Sequence, residues 1–151
     1  IRDLRSYILD LRPRQLGNDG LMSGIKRLSA EYRANTFADV YITEPESDLK
    51  DLPQGHVLTL FHICQEALAN SAKHARARKV QISVWATDER VLMEINDDGK
   101  GFDMESMNAN IGHGLANMRT RARSIGGDVD ISSAPNEGTT ILAWVPRDTR
   151  P

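Results

Sequence analysis

The chain has 151 residues, 40% of them hydrophobic and 26% charged, with 19 Lys and Arg against 21 Asp and Glu for a net charge of −2. That composition supplies the core of one domain of ordinary size and excludes wholesale disorder. The near balance of charge excludes a nucleic-acid module working by bulk positive potential, and the longest apolar run, Ile141 to Val145, is far short of the ~20 residues that cross a bilayer.

Cys64 is the single cysteine, so neither an internal disulfide nor a cysteine-built zinc site can form. His56, His62, His74 and His113 show no H-E-x-x-H pairing. The chain opens Ile-Arg-Asp-Leu-Arg without an initiator Met or a leader pattern, which reads as a piece of a longer protein.

In chain order, Ile1, Leu4, Ile8 and Leu11 recur at helical spacing and stop at Pro13, as the tail of a longer helix does. A turn is expected over Gly17 to Gly20. Leu21, Ile25, Leu28 and Tyr32 then mark a second amphipathic helix. Val40 and Ile42, alternating with Tyr41 and Thr43, predict a strand, and the acidic stretch Glu44 to Leu52 a loop. A long helix follows from near Pro53 to about Ala75. Val57, Leu60, Phe61, Cys64, Ala67, Leu68 and Ser71 fall on one side of it, and His62, Glu66, Asn70 and Lys73 form a row on the other.

Val80 to Ala86 and Val91 to Ile95 alternate as a hairpin through Thr87-Asp88-Glu89-Arg90. After the glycine-rich Asp97 to Phe102 and a polar segment to Asn110, Gly112-His113-Gly114 reads as the opening of a helix. That helix carries Leu115, Met118, Ala122 and Ile125 and is closed by Gly126-Gly127. A last hairpin pairs Val129 to Ser132 with Thr139 to Val145. Strands and helices interleave, so one sheet with helices packed against it is the expected architecture.

Four features carry chemistry. Glu66, Asn70, Lys73 and His74 place a carboxylate, a carboxamide, an ammonium and an imidazole along one helix, a set that can hold a hydrated divalent cation and a phosphate; a plain solvated face has the same pattern. Asp97-x-Gly99-x-Gly101 follows a strand directly, so a carboxylate meets a backbone free to approach a ligand, although an ordinary Asp/Gly turn reads alike. The spacing Glu94-x-Asn96-x-Asp98-Gly99 with Glu105 mimics a calcium loop, but Glu stands first, Gly101 replaces the aliphatic residue, and no helix precedes it. Gly112-x-Gly114-Leu115 at a helix start offers free N–H groups to phosphate, or serves as a glycine cap. Gly138-Thr139 opens the last strand, by itself only a hairpin turn.

The order of these features is specific where each alone is weak. The segments EALANSAKHA (66–75), DDGKGF (97–102), GHGLANMRTRA (112–122) and GGDVDISSAPNEGTT (126–140) together resemble the ATP-binding domain of sensor histidine kinases, a fold shared with gyrase, Hsp90 and MutL ATPases. Met118-Arg119-x-Arg121-Ala122, a short lid and residues 1–13 are similar to the nitrate-sensor and DesK-like subgroup. The likeness covers nearly the whole chain, least clearly residues 14–52.

The resemblance implies an α/β two-layer sandwich with a mixed, mostly antiparallel sheet and helices on one face. Residues 1–13 would end a second dimerisation helix and 14–151 form the ATP-binding domain. It implies ATP and Mg²⁺ as ligands, with Asn70 chelating the metal and Glu66 beside it ordering water or polarising the attacking group. Lys73 and His74 approach the phosphates. Asp97 accepts from the adenine amine, supported through water by Thr139, while Gly99 and Gly101 wall the pocket, and Gly112, Gly114 and Leu115 belong to the lid and helix start.

The implied activity is transfer of the γ-phosphoryl group to a histidine on a dimerisation domain outside this chain, then relay to a response regulator, of helix-turn-helix output in this subgroup. The fragment by itself would bind ATP without phosphorylating itself. The expected setting is a cytoplasmic domain of a homodimeric parent, membrane-bound or soluble, without direct nucleic-acid contact. Two alternatives stand beside it: a gyrase- or MutL-type ATPase using Glu66 as general base for water, and a nucleotide-sensing docking module without turnover.

Overall fold

The computed structural model describes residues 13–106 and 109–147. The helix expected over residues 1–11 lies outside the described residues. Helix α1 spans Pro13–Thr36 and is bent where Gly20 leaves the helical region (φ 80°, ψ −175°). The turn expected over Gly17 to Gly20 is therefore confined to one residue, and Pro13 starts a helix here. Proline suits a helix's first turn because its missing N–H has no partner there in any case.

Strand β1 (Asp39–Thr43) leads through the acidic loop to helix α2 (Gln54–Asn70), whose last turn widens into a π turn over Ser71–Ala75. Strands β2 (Lys79–Ala86) and β3 (Arg90–Asp97) form the expected hairpin. Helix α3 (Ala109–Arg123) and the hairpin of β4 (Asp128–Ser133) and β5 (Thr139–Pro146) complete the chain. Gly126 and Gly127 close α3, with Gly127 N–H donating to the Ala122 carbonyl at 2.8 Å.

The five strands lie in the order β1-β2-β3-β5-β4, with β1 and β2 parallel and the other neighbours antiparallel. This is the expected mixed sheet, with helices on one face. Alternation sends every second side chain to that face, and the register arranges them in rows. Val84, Met93, Ala143 and Val129 make one row, and Ile82, Ile95, Ile141 and Ile131 the next; all are buried. The third row is Val80, Asp97, Thr139 and Ser133. The sheet's inner face thus changes from aliphatic to polar at one end, and a cleft opens there.

The apolar side of α2 read from the sequence meets this face. Leu60, Phe61, Ile63 and Cys64 have no exposed surface. Burial pushes the Cys64 thiol up to about 12, so this cysteine is core material and not a nucleophile. On the opposite face Trp85, Leu92 and Trp144 form a row, with the Arg90 guanidinium 3.8 Å over the Trp144 ring.

Candidate functional site

The cleft sits where the polar third row of the sheet meets the end of α2 and the first turns of α3. Its walls are apolar: Ala67 from α2, Ile95 and Ile141 from the sheet, Ile111 and Leu115 from α3, and Phe102 from the loop after β3. Asn70, Ser71, His74, Asp97, Gly101 and Thr139 supply the polar lining. Flat aliphatic walls around one carboxylate suit a planar heterocycle carrying a hydrogen-bond donor.

Asp97 ends β3 and is 7% exposed. The Gly99 N–H donates to its Oδ1 at 2.9 Å, and the Ser71 hydroxyl and the Thr139 backbone N–H also hydrogen-bond the carboxylate. Burial raises its pKa above the ordinary carboxylate range, and those three donors act against the rise. Its neighbour Asp98 is exposed and does a different job. It accepts from the N–H groups of Arg78 (2.8 Å) and Lys79 (3.0 Å), tying the loop to the start of β2. Burial is the largest single influence and pushes the Asp98 pKa up, but the backbone donors together outweigh it and hold it below the ordinary value.

The glycines expected to wall the pocket do so by close approach. A Cβ at Gly99 would strike the carbonyl oxygen and Cβ of Ala75 in the π turn, and Lys100 N–H donates to that same carbonyl at 2.7 Å. At Gly101, φ is 62° and a Cβ would strike the Ala134 carbonyl. Thr139 is held by Ser133, whose hydroxyl pairs with the Thr139 hydroxyl at 2.9 Å, donates to the Gly138 carbonyl and accepts from Phe102 N–H.

Along α2 the cleft residues are Ala67, Asn70, Ser71, His74 and Ala75, a stripe at i, i+3, i+4, i+7 and i+8. This stripe runs along the seam between the two sides of the helix recognised in the sequence. From the polar row only Asn70 reaches the cleft wall, and His74 joins it; Lys73 is exposed and does not line the cleft. Glu66 is half-buried and faces Gly114, where an added Cβ would lie 2.6 Å from its Oε2 and 3.3 Å from Asn70 Nδ2.

Gly112 and Gly114 do not open a helix, contrary to expectation. They lie inside α3, which begins at Ala109. The physical reason is packing: with no side chain at position 114, the helix can press directly onto Glu66 and Asn70. Gly112 faces open space, whereas Leu115 is buried in the cleft wall.

Asn70 Nδ2 is a buried polar atom without a hydrogen-bond partner. The two amide positions of an asparagine interchange by a flip, so this side chain can present its carbonyl oxygen there. An oxygen donor next to a carboxylate fits a hard cation such as Mg²⁺. The calcium-loop spacing does not form a site: β3 occupies Glu94 to Asp97, and among the described residues no three His, Cys, Asp or Glu side chains gather around a point.

With α3 seated, the cleft leaves about 30 Å³ of room, against the ~300–1,000 Å³ of ligand pockets in general. In this arrangement the cleft is smaller than a nucleotide-sized ligand. Among the described residues no helix is long and apolar enough to cross a membrane.

Ser71, Ser133 and Tyr32 were not singled out from the sequence. Ser71 and Tyr32 read as parts of apolar stripes, and nothing local marks a hydroxyl that will face a carboxylate across the fold.

Residues 55–149 match the family described as histidine kinase-, DNA gyrase B-, and HSP90-like ATPase. Among curated proteins, the sensor histidine kinase LiaS of Bacillus subtilis is 34% identical over 146 residues, covering 95% of this chain and 39% of that protein. The sensor protein VraS of Staphylococcus aureus is 34% identical over 144 residues, with 95% and 40% covered. The chain thus spans about two fifths of the length of these relatives.

In fold, it is similar to the blue-light activated histidine kinase EL346 of Erythrobacter litoralis. The TM-score is 0.66 at 20% identity, with 81% of this chain and 40% of that chain covered. The histidine kinase domain of the same protein gives 0.65 at 19% identity, with 84% and 61% covered. The matched family model spans most of the chain and holds Asn70, Asp97, the glycine loop and Thr139 within it: the chain belongs to the histidine kinase-, DNA gyrase B-, and HSP90-like ATPases.

Proposed function

We propose that this chain is the ATP-binding catalytic unit of a two-component sensor histidine kinase, acting in a longer, homodimeric protein with its catalytic unit in the cytoplasm. The observation that carries the reading is the buried Asp97 carboxylate at the polar end of an apolar cleft whose opposite wall holds the unpartnered Asn70 amide. Asp97 takes the exocyclic amine of adenine, Ile95, Ile141 and Leu115 sandwich the ring, and Thr139 supports the carboxylate through its backbone N–H.

Asn70 faces the phosphates, and Glu66 orders water or the attacking group beside it. Asn70 would hold Mg²⁺, which when bound would supply charge neutralisation at the phosphate oxygens, one of the two requirements of phosphoryl transfer beside positioning. His74 lines the cleft toward the phosphates, and Lys73, exposed just outside the lining, approaches them from the same end of α2. The partners are the protein's own dimerisation segment, which carries the acceptor histidine, and a response regulator that receives the phosphoryl group.

Thermal unfolding of the chain with a non-hydrolysable ATP analogue, with and without Mg²⁺, tests the reading. A ligand at about 100 times its Kd adds about 2.7 kcal/mol of stability, so the midpoint should rise by several degrees. Asp97→Asn should weaken nucleotide binding tenfold or more, the loss expected for a charged hydrogen bond of about 1.5–3 kcal/mol. Asn70→Ala should weaken Mg²⁺-dependent binding more than binding in EDTA. Wild-type-like affinity in Asp97→Asn overturns the assignment of the adenine acceptor, and steady ATP hydrolysis without any protein acceptor moves the chain to the gyrase-type alternative.

A further inference from the structure

The Asp97 carboxylate is connected to a helix outside the matched family region. Tyr32 on α1 is 4% exposed, and its hydroxyl lies 2.9 Å from the Ser71 hydroxyl, 39 residues along the chain. Ser71, 5% exposed, lines the same cleft as Asp97, and its hydroxyl acts to hold the Asp97 carboxylate's pKa down against burial. The direction of the chain follows from proton counting. An ionised carboxylate only accepts, so Ser71 gives it the single proton that a serine hydroxyl owns. Ser71 can then only accept from Tyr32, whose phenol donates. The sequence Tyr32 O–H to Ser71 O–H to Asp97 carboxylate leaves each oxygen one defined role.

We infer that Tyr32 and Ser71 form a positioning relay that sets Asp97 as the acceptor for the exocyclic amine of the bound purine, and so couples the seating of α1 to adenine recognition. This rests on the assignment of Asp97 as adenine acceptor. Tyr32 is not part of the cleft lining; it acts through Ser71. Without the phenol, the Ser71 hydroxyl is free to turn its proton elsewhere, and the carboxylate loses both a donor and its fixed orientation toward the amine.

The test measures the affinity of the chain for ATP and for purine riboside triphosphate, which lacks the 6-amino group. Wild type, Tyr32→Phe, Ser71→Ala and the double variant are compared, each checked for an intact unfolding transition. Tyr32→Phe keeps the buried ring, and if it does not fold, Ser71→Ala carries the same comparison. Each single variant should weaken ATP about three- to tenfold, in the range for one ordinary hydrogen bond acting at one remove. Binding of the amine-free nucleotide should change little. The double variant should lose no more than the larger single loss, because members of one network are not additive.

Wild-type ATP affinity in Tyr32→Phe and Ser71→Ala overturns the relay and leaves the Asp97 assignment standing. Equal weakening of both nucleotides, or fully additive losses, also overturns it by reducing the two residues to packing. Failure of the wild type to bind ATP removes the relay together with the assignment on which it rests.

Discussion

Two adjacent carboxylates with opposite environments define the site at the scale of single residues. Asp98 satisfies backbone donors at the surface, whereas Asp97 is buried and its pKa is raised by that burial. A pKa raised above 3.8 means that the folded chain holds the Asp97 proton more tightly than the unfolded chain does. The contribution to stability is therefore full below the unfolded value and is lost as pH rises through the folded one. At neutral pH the empty protein bears the cost of a buried charge, as functional sites commonly do. Asp97→Asn keeps an acceptor for Gly99 N–H and removes that charge. Its thermal midpoint without ligand is expected above that of wild type at pH 7, each kcal/mol gained reading as about 2–4 °C in a domain of this size. The difference should close as pH falls toward 4, while ATP affinity moves the opposite way. A midpoint at pH 7 below that of wild type would show that the carboxylate's hydrogen bonds outweigh its burial.

The elements that meet at the cleft were readable to different depths. Alternating Val and Ile runs place β2, β3 and β5 because a half-buried strand has no other way to satisfy its two faces, and the apolar stripe of α2 is equally direct. The start of α3 was misplaced because glycines at 112 and 114 look like a cap. The actual use of Gly114, close contact with Glu66 and Asn70, depends on residues 48 and 44 positions earlier. The π turn was invisible for the same reason: its Ala75 carbonyl is fixed by Lys100 N–H and pressed by Gly99. Gly99→Ala tests that contact. Its Cβ would lie 2.6 Å from the Ala75 Cβ and still nearer the carbonyl oxygen, so backbone must shift. The expected loss is about 1–3 kcal/mol of stability. Nucleotide binding should fall with it, because the displaced residue is the one whose N–H holds Asp97. An unchanged unfolding midpoint, with unchanged ATP affinity, would mean that the loop and the π turn separate easily.

For the molecule as a whole, the decisive question is whether a domain with a closed, incomplete site can transfer phosphate by itself. On the proposed reading the polar row of the sheet, α2 and α3 would position a nucleotide, but in-line transfer also needs an acceptor nitrogen at ~3 Å opposite the leaving oxygen. None of the four histidines is placed for it. His56 is buried, with Nδ1 2.8 Å from the Pro146 carbonyl oxygen at the far end of β5, and His62 pairs with Gln65 on the side of α2. His74 lines the same wall as Asn70, one turn along, and so would lie alongside the phosphates of the proposed nucleotide. His113 is exposed on α3, outside the cleft lining. Incubation of this chain with Mg²⁺ and γ-labelled ATP should therefore leave no acid-labile phosphate on it. Addition of a separate dimerisation segment carrying an acceptor histidine should bring label to that segment, and Asp97→Asn should lower the transfer tenfold or more at subsaturating ATP. Acid-labile label on the isolated chain, lost on replacing His74 or His113, would place the acceptor inside the catalytic unit instead.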